Sequence, residues 1–125
     1  MKNVLIILSA IGFGLGTSIL VHAEGDPIAG ERLFKSQCLG CHEHDSERNA
    51  LGASLAGVMN RKAGTLPGAT FSRALTESGI TWNEASLDKY LAAPSKELPM
   101  TLMTAHEIPI AKERADIIAY LKALR

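Results

Sequence analysis

Apolar residues recur along this chain with helical spacing, and no stretch shows the two-residue alternation of a half-buried strand. The clearest pattern lies at the end, where Arg114, Ile117, Ile118, Leu121 and Leu124, within Ile110 to Leu124, follow the i, i+3, i+4, i+7 rule. Near the other end, Asp26-Pro27 reads as an N-cap followed by a proline at the first helical position, where its missing donor costs nothing. Ile28, Gly30, Leu33, Phe34 and Gln37 then ride a helix that runs into Cys38. Gly30 and Phe34 share a face of it. A glycine inside a helix costs about 1 kcal/mol against alanine, so Gly30 predicts that another backbone approaches closely there. Phe71 to Ser78 predicts a short helix ended by Gly79, and Trp82-Asn83-Glu84 leads into a helix through Leu87, Tyr90 and Leu91 that stops at Pro94.

The segments between these helices are informative too. From Glu43 to Gly68 the chain is rich in Gly, Asn, Ser and Asp, with Gly52, Gly57, Gly64 and Pro67-Gly68 as breakers. Unstructured stretches of this length are unusual in a compact domain unless they serve a function such as covering a ligand. The second loop, Leu98-Pro99-Met100-Thr101-Leu102-Met103, is apolar and stiffened by proline, which predicts that it faces something apolar. The fold class is all-α.

The first residues form a separate unit. Met1 and Lys2 give a short positive start, Val4 to Leu8 with Ile11 to Val21 form an apolar stretch, and Val21-His22-Ala23 has the small-x-small spacing of a signal-peptidase site. Residues 1–23 are therefore expected to be a signal peptide and residues 24–125 the working domain. An uncleaved membrane anchor is the alternative, because about twenty mostly apolar residues nearly suffice to span a bilayer. Gly12, Gly14, Gly16, Thr17 and Ser18 dilute the run and favour cleavage. Either outcome places the domain in an exported, periplasmic compartment, with membrane contact only if the segment is retained.

Cleavage removes Lys2 and no acid, leaving 13 Asp and Glu one ahead of the remaining Lys and Arg. That balance argues against nucleic acid, whose binders carry a basic face. The domain is small for a protein-only core, since small domains bury a lower fraction of their surface. It has few aromatics to fill one: Phe34, Phe71, Trp82, Tyr90 and Tyr120. These facts point to something other than protein in the middle.

Cys38-Leu39-Gly40-Cys41-His42 is a C-x-x-C-H run, the spacing of c-type haem attachment. Thiols at i and i+3 stand one turn apart and can add to the two vinyl groups on one edge of a porphyrin. His42, directly after them, then sets an imidazole nitrogen under the iron. A thioredoxin-like dithiol needs a βαβ context that the pattern lacks. A structural zinc site needs further Cys or His ligands, and a plain exported disulfide has no use for His42. The other face of an iron held by His42 calls for a second ligand, and the apolar loop offers Met100 and Met103. Methionine with histidine is the cytochrome c arrangement, which raises the reduction potential and favours electron transfer over substrate binding. Met59 reads as a core gap-filler. His44 and His106 read as surface histidines, with His106 kept as an alternative to Met103 in some state.

At this point the chain resembles the class I c-type cytochromes, the mitochondrial-type proteins and their bacterial relatives. The resemblance runs from Glu24 to Arg125 through Gly25-Asp26, Gly30 to Phe34, C-x-x-C-H, Gly57, Arg61-Lys62-Ala63-Gly64, Pro67-Gly68, Gly79-Ile80-Thr81-Trp82, Leu87 to Leu91, Pro94, Pro99 and Glu113 to Lys122. It implies that loops wrap one covalent haem c on Cys38 and Cys41, with iron ligands His42 and Met103. Met103 is preferred to Met100 because its distance in sequence to Glu113-Arg114-Ala115-Asp116 matches the family without a gap. The resemblance further implies that the first and last helices cross, with Gly30 and Phe34 meeting Ile117 and Tyr120. It places Arg61 and Trp82 near a haem propionate and the Tyr90 hydroxyl near the methionine sulfur.

Departures from the family are as informative. Its Gly-Pro pair, whose proline carbonyl holds the ligand imidazole, reads Gly52-Ala53 here, which keeps a carbonyl and loses the stiff turn. Phe71 and Leu75 stand where the family often has polar partners, making that side of the pocket drier. Positions matching the mitochondrial lysine ring include Gln37, Ser95, Leu102, Pro109 and Ile110, with Lys96 left. Docking is therefore expected through an apolar patch near Leu102, Ala105, Ile108 and Pro109. The expected function is a monomeric electron carrier, not an enzyme, serving redox partner proteins such as a dehydrogenase, reductase or oxidase. The rivals are an open-site haem enzyme or gas-binding cytochrome, and a fixed subunit of a larger oxidase or dehydrogenase.

Overall fold

The computed structural model describes residues 24–45, 47–104 and 106–125. The expected signal peptide, and Ala105 of the expected docking patch, lie outside the described residues.

Five helices follow in order: α1 (Pro27–Gln37), α2 (Arg73–Glu77), α3 (Glu84–Ala92), α4 (Pro94–Glu97) and α5 (Ala111–Ala123). Local chemistry explains where they start. The Asp26 carboxylate accepts from the Ile28 amide at 2.9 Å, and Pro27 occupies the first turn. The Ser72 hydroxyl accepts from the Leu75 amide ahead of α2. Asn83 and Ser86 cap α3 reciprocally, each side chain accepting from the other's backbone N–H at 2.9 Å. The sequence marked Pro94 as the end of a helix, and α3 does end before it. Pro94 also starts the short α4, because a proline that cannot continue one helix is preorganised to begin the next.

α1 and α5 form the main helix contact. A side chain at Gly30 would place its Cβ 1.9 Å from the Asp116 carbonyl oxygen of α5, so only glycine lets the two backbones come this close. Phe34, fully buried, packs its ring against Tyr120 with centroids 5.3 Å apart. Asp116, a buried carboxylate on α5, accepts from the Asp26 amide at 2.7 Å and from Lys112, which ties the start of α1 to α5. Those contacts hold the lowered pKa of Asp116, the Lys112 hydrogen bond being the largest cause.

α3 lies against α5 and is tied to it by Arg114, which donates to Asp88 at 2.7 Å and to the carbonyls of Ile108 and Pro109. The periodic pattern had placed Arg114 on the apolar face of α5. The structure explains that placement: the arginine stem packs inward while its guanidinium bridges three partners.

Residues 60–63 and 80–82 pair side by side. The Asn60 amide donates to Trp82 O at 2.7 Å, the Trp82 amide to Arg61 O at 3.0 Å, and the Ala63 amide to Ile80 O at 2.8 Å. One isolated bridge, Lys62 to Thr81, results, and no strand is formed among the described residues. No helix among them is long and apolar enough to cross a membrane.

Candidate functional site

The turn that follows α1 carries three of the expected residues. The Cys41 and His42 amides both donate to Cys38 O, at 3.0 and 2.9 Å, so the two thiols and the imidazole project from one helical turn. Burial, and less strongly the neighbouring Cys41, push the Cys38 thiol up to about 11. A redox-active C-x-x-C dithiol needs the opposite, a lowered value.

His42 is held from behind. Its Nδ1 lies 2.8 Å from the Ala53 carbonyl oxygen, and since a carbonyl only accepts, Nδ1 carries the proton and Nε2 the lone pair. The loss of the family's proline has therefore left the imidazole restraint in place. Gly52 makes room for it: a Cβ there would sit 2.5 Å from His42 Cε1 and 2.8 Å from Nδ1.

Cys38, Cys41, His42 and Met103 all line one cavity of about 380 Å³. Its walls are mostly apolar, formed by Leu55, Val58, Phe71, Leu75, Trp82, Leu87, Leu91, Ile108 and Leu121 among others. Phe71 and Leu75 both line it and make their flank apolar. Among the described residues, Arg61 is the one lysine, arginine or carboxylate on the wall.

The structure separates the two candidate methionines. Met103 is half-buried, packs on the core and lines the cavity. Met100 is 86% exposed, at a corner where its own φ is 68°. Met59 packs against the core as the gap-filler expected of it. His106 is exposed but also touches the cavity.

Arg61, Trp82 and Tyr90 all reach the cavity. The Arg61 guanidinium donates to Ser54 O at 2.8 Å and Ala56 O at 3.1 Å, which clamps the long loop. Burial lowers its pKa, yet an arginine remains a cation. The rings of Trp82 and Tyr90 pack with centroids 5.2 Å apart. The Tyr90 hydroxyl shares a 2.5 Å hydrogen bond with Thr101 Oγ1, which in turn accepts from the Met103 amide at 3.3 Å. Tyr90 thus reaches the Met103 segment through a threonine that sequence reasoning missed. Its signal was a lone hydroxyl in an otherwise apolar loop.

The expected docking patch needs a correction. Ile108 is 2% exposed: its amide donates to Leu91 O, its carbonyl is taken by Arg114, and its side chain belongs to the core. Leu102 is 68% exposed, as expected, and Pro109 is exposed. Leu51, 82% exposed, was not singled out, yet it lines the cavity together with Leu102, so both stand at its mouth.

Two thiols one turn apart, an imidazole whose Nδ1 is taken up by a carbonyl, a thioether and an apolar cavity form a donor set that fits a covalently attached haem. Comparisons with known proteins agree. The family described as cytochrome c matches residues 28–125. Cytochrome c2 of Rhodopila globiformis is 44% identical over 101 residues, covering 81% of this chain and 95% of that protein. Cytochrome c of Tetrahymena pyriformis is 46% identical over 101 residues, covering 81% and 91%. Among solved structures, cytochrome cH from Methylobacterium extorquens superposes with a TM-score of 0.73 at 45% identity, covering 79% of this chain and 99% of that one. Likeness of this extent in sequence and in fold makes the chain a member of the cytochrome c family, an electron carrier rather than an enzyme, with one covalently bound haem c.

Proposed function

We propose that Cys38 and Cys41 would carry the two thioether bonds of the haem, that His42 Nε2 and the Met103 sulfur would hold its iron, and that Arg61, Trp82 and Tyr90 would shape the remaining wall. The observation that carries this reading is the 2.8 Å contact from His42 Nδ1 to the Ala53 carbonyl, which leaves Nε2 as the lone-pair nitrogen in a cavity that Met103 also lines. When bound, the haem supplies a centre that takes up and gives back one electron.

The rest of the work falls to the chain. His42 is kept from turning by Ala53, and Met103 is fixed through Thr101 and Tyr90, so neither ligand has to move when the charge changes. The apolar walls keep water out, which limits solvent rearrangement on electron transfer. Leu51 and Leu102 at the mouth give a partner protein an apolar surface to dock on. The domain acts as a monomer in an exported, periplasmic compartment after removal of residues 1–23.

A reduced-minus-oxidised visible spectrum of the mature protein, with a haem stain on a denaturing gel, tests covalent attachment and axial ligation together. A colourless product made with intact maturation machinery would sink the reading, and an N-terminus other than Glu24 would sink the cleavage site. With exposed Leu51 and Leu102 at the mouth and Arg61 the one lysine, arginine or carboxylate on the wall among the described residues, the rate of electron transfer to a partner should fall by less than about tenfold between low and physiological salt. A steeper fall would show that charge, not the apolar mouth, guides docking.

A further inference from the structure

The peptide joining Ala53 to Ser54 is gripped at both ends. Its carbonyl accepts from His42 Nδ1 at 2.8 Å, and its N–H, which belongs to Ser54, donates to Asn49 Oδ1 at 2.9 Å. A trans peptide is a rigid plate whose C=O and N–H point in opposite directions. Whatever fixes the N–H therefore also fixes the direction of the C=O.

Asn49 is itself anchored, because its Nδ2 donates to Pro67 O at 3.3 Å on the far side of the loop. Ser54 is 1% exposed and its hydroxyl donates to Asp45 O at 2.6 Å, while Arg61 takes its carbonyl at 2.8 Å. Ala53 brings no ring to fix its own φ. The aim of its carbonyl must come from these neighbours, and Asn49 is the one that acts on the same peptide plate.

We propose that Asn49 is a positioning residue for His42, acting through the Ala53–Ser54 peptide. The proposal rests on His42 being an iron ligand. Two linked effects follow from the geometry. The Asn49 carbonyl, by drawing on the Ser54 N–H, polarises the peptide and makes Ala53 O a stronger acceptor. A stronger acceptor holds the Nδ1 proton more tightly, which fixes the orientation of the ring and the direction of Nε2.

Hydrogen exchange read by NMR in the reduced, mature holoprotein tests this without reference to activity. In Asn49→Ala, the Ser54 amide and the His42 Nδ1 proton should both exchange about fivefold faster, the scale of one lost hydrogen bond. Amides in the middle of α1 and α5 should keep their rates. Asn49→Asp keeps an acceptor for the Ser54 amide at neutral pH and loses only the donor to Pro67, so it should hold the His42 proton near its original rate.

A His42 proton that exchanges at its original rate in Asn49→Ala overturns the proposal. So does one that speeds up equally in both variants. If α1 and α5 also loosen in Asn49→Ala, the aspartate variant decides: a slow His42 proton there supports the proposal, and a fast one overturns it. A wild-type spectrum without a histidine-ligated c-type haem refutes the ligand assignment itself, which is a separate failure.

Discussion

Replacing Gly52 by alanine puts the most demanding test on the proximal side of the site. The added Cβ would lie 2.5 Å from His42 Cε1, 2.8 Å from Nδ1 and 3.2 Å from Nε2, well inside contact distance. The backbone has little room to retreat, because the Gly52 amide donates to Cys41 O at 2.7 Å and the Gly52 carbonyl accepts from the Ala50 amide at 3.1 Å. The imidazole must turn or the loop must shift, and either move breaks the 2.8 Å bond to Ala53 O. Overpacking of this kind together with one lost hydrogen bond costs about 3 kcal/mol. In a domain of this size that loss lowers Tm by roughly 15 °C. Thermal unfolding of the mature holoprotein, followed by the absorption band of the methionine-to-iron bond, measures it. Gly40→Ala, in the same motif, is the control: nothing lies within 4 Å of its Cβ, so it should change stability by less than about 0.5 kcal/mol. If Gly52→Ala melts with Gly40→Ala and keeps an unaltered spectrum, the imidazole is not confined in the way argued here.

Three further changes probe the remaining parts. Met103→Ala should abolish the methionine-to-iron absorption while Met100→Ala leaves it intact, and the reverse result would exchange their roles. Gly30→Ala should destabilise the fold by about 3 kcal/mol or more, because its Cβ meets backbone at 1.9 Å and no side chain can move aside; chemical denaturation gives the value. Tyr90→Phe leaves the hydroxyl of buried Thr101 only the 3.3 Å contact from the Met103 amide and should cost about 1–2 kcal/mol in the same assay. A null result there would mean that the Tyr90–Thr101 bond adds nothing to the fold.

Periodicity and caps made the helices legible because these are local signals: Asp26-Pro27, Asn83-Glu84, and the repeat from Ile117 to Leu124 each lie within a turn or two of what they determine. A close backbone approach at α1 was legible from one costly glycine, and α5 as its partner from the family resemblance. The site was legible where one motif concentrates it, at Cys38, Cys41 and His42. What stayed hidden depends on partners distant in sequence. Ile108 looked like a surface residue beside Pro109, yet its backbone is bound by Leu91 and Arg114 and drawn into the core. Asn49 and Ser54 looked like ordinary loop residues, because nothing local says that Pro67, Asp45 and Arg61 will meet them. The role of Thr101 likewise needs Tyr90, which arrives from α3.

The same long-range bonds explain how a small chain with few aromatics holds His42 and Met103, the two proposed ligands, at one cavity. Val58, Trp82, Leu87, Tyr90, Leu91, Ile108 and Leu121 belong to the hydrophobic core and also line the cavity, so the core is built around the site rather than beside it. The proximal side is fixed by the turn at the end of α1 and the loop peptide behind His42. The distal segment is fixed largely by α3, which holds it at two points: Tyr90 binds Thr101, and Leu91 O accepts from the Ile108 amide at 2.9 Å. Arg114 adds a third tie by joining Ile108 and Pro109 to Asp88. Met103 sits between these ties, so the loop that carries the proposed distal ligand is restrained on both sides of it. A one-electron centre needs that restraint, since any movement of a ligand between oxidation states adds directly to the barrier for transfer.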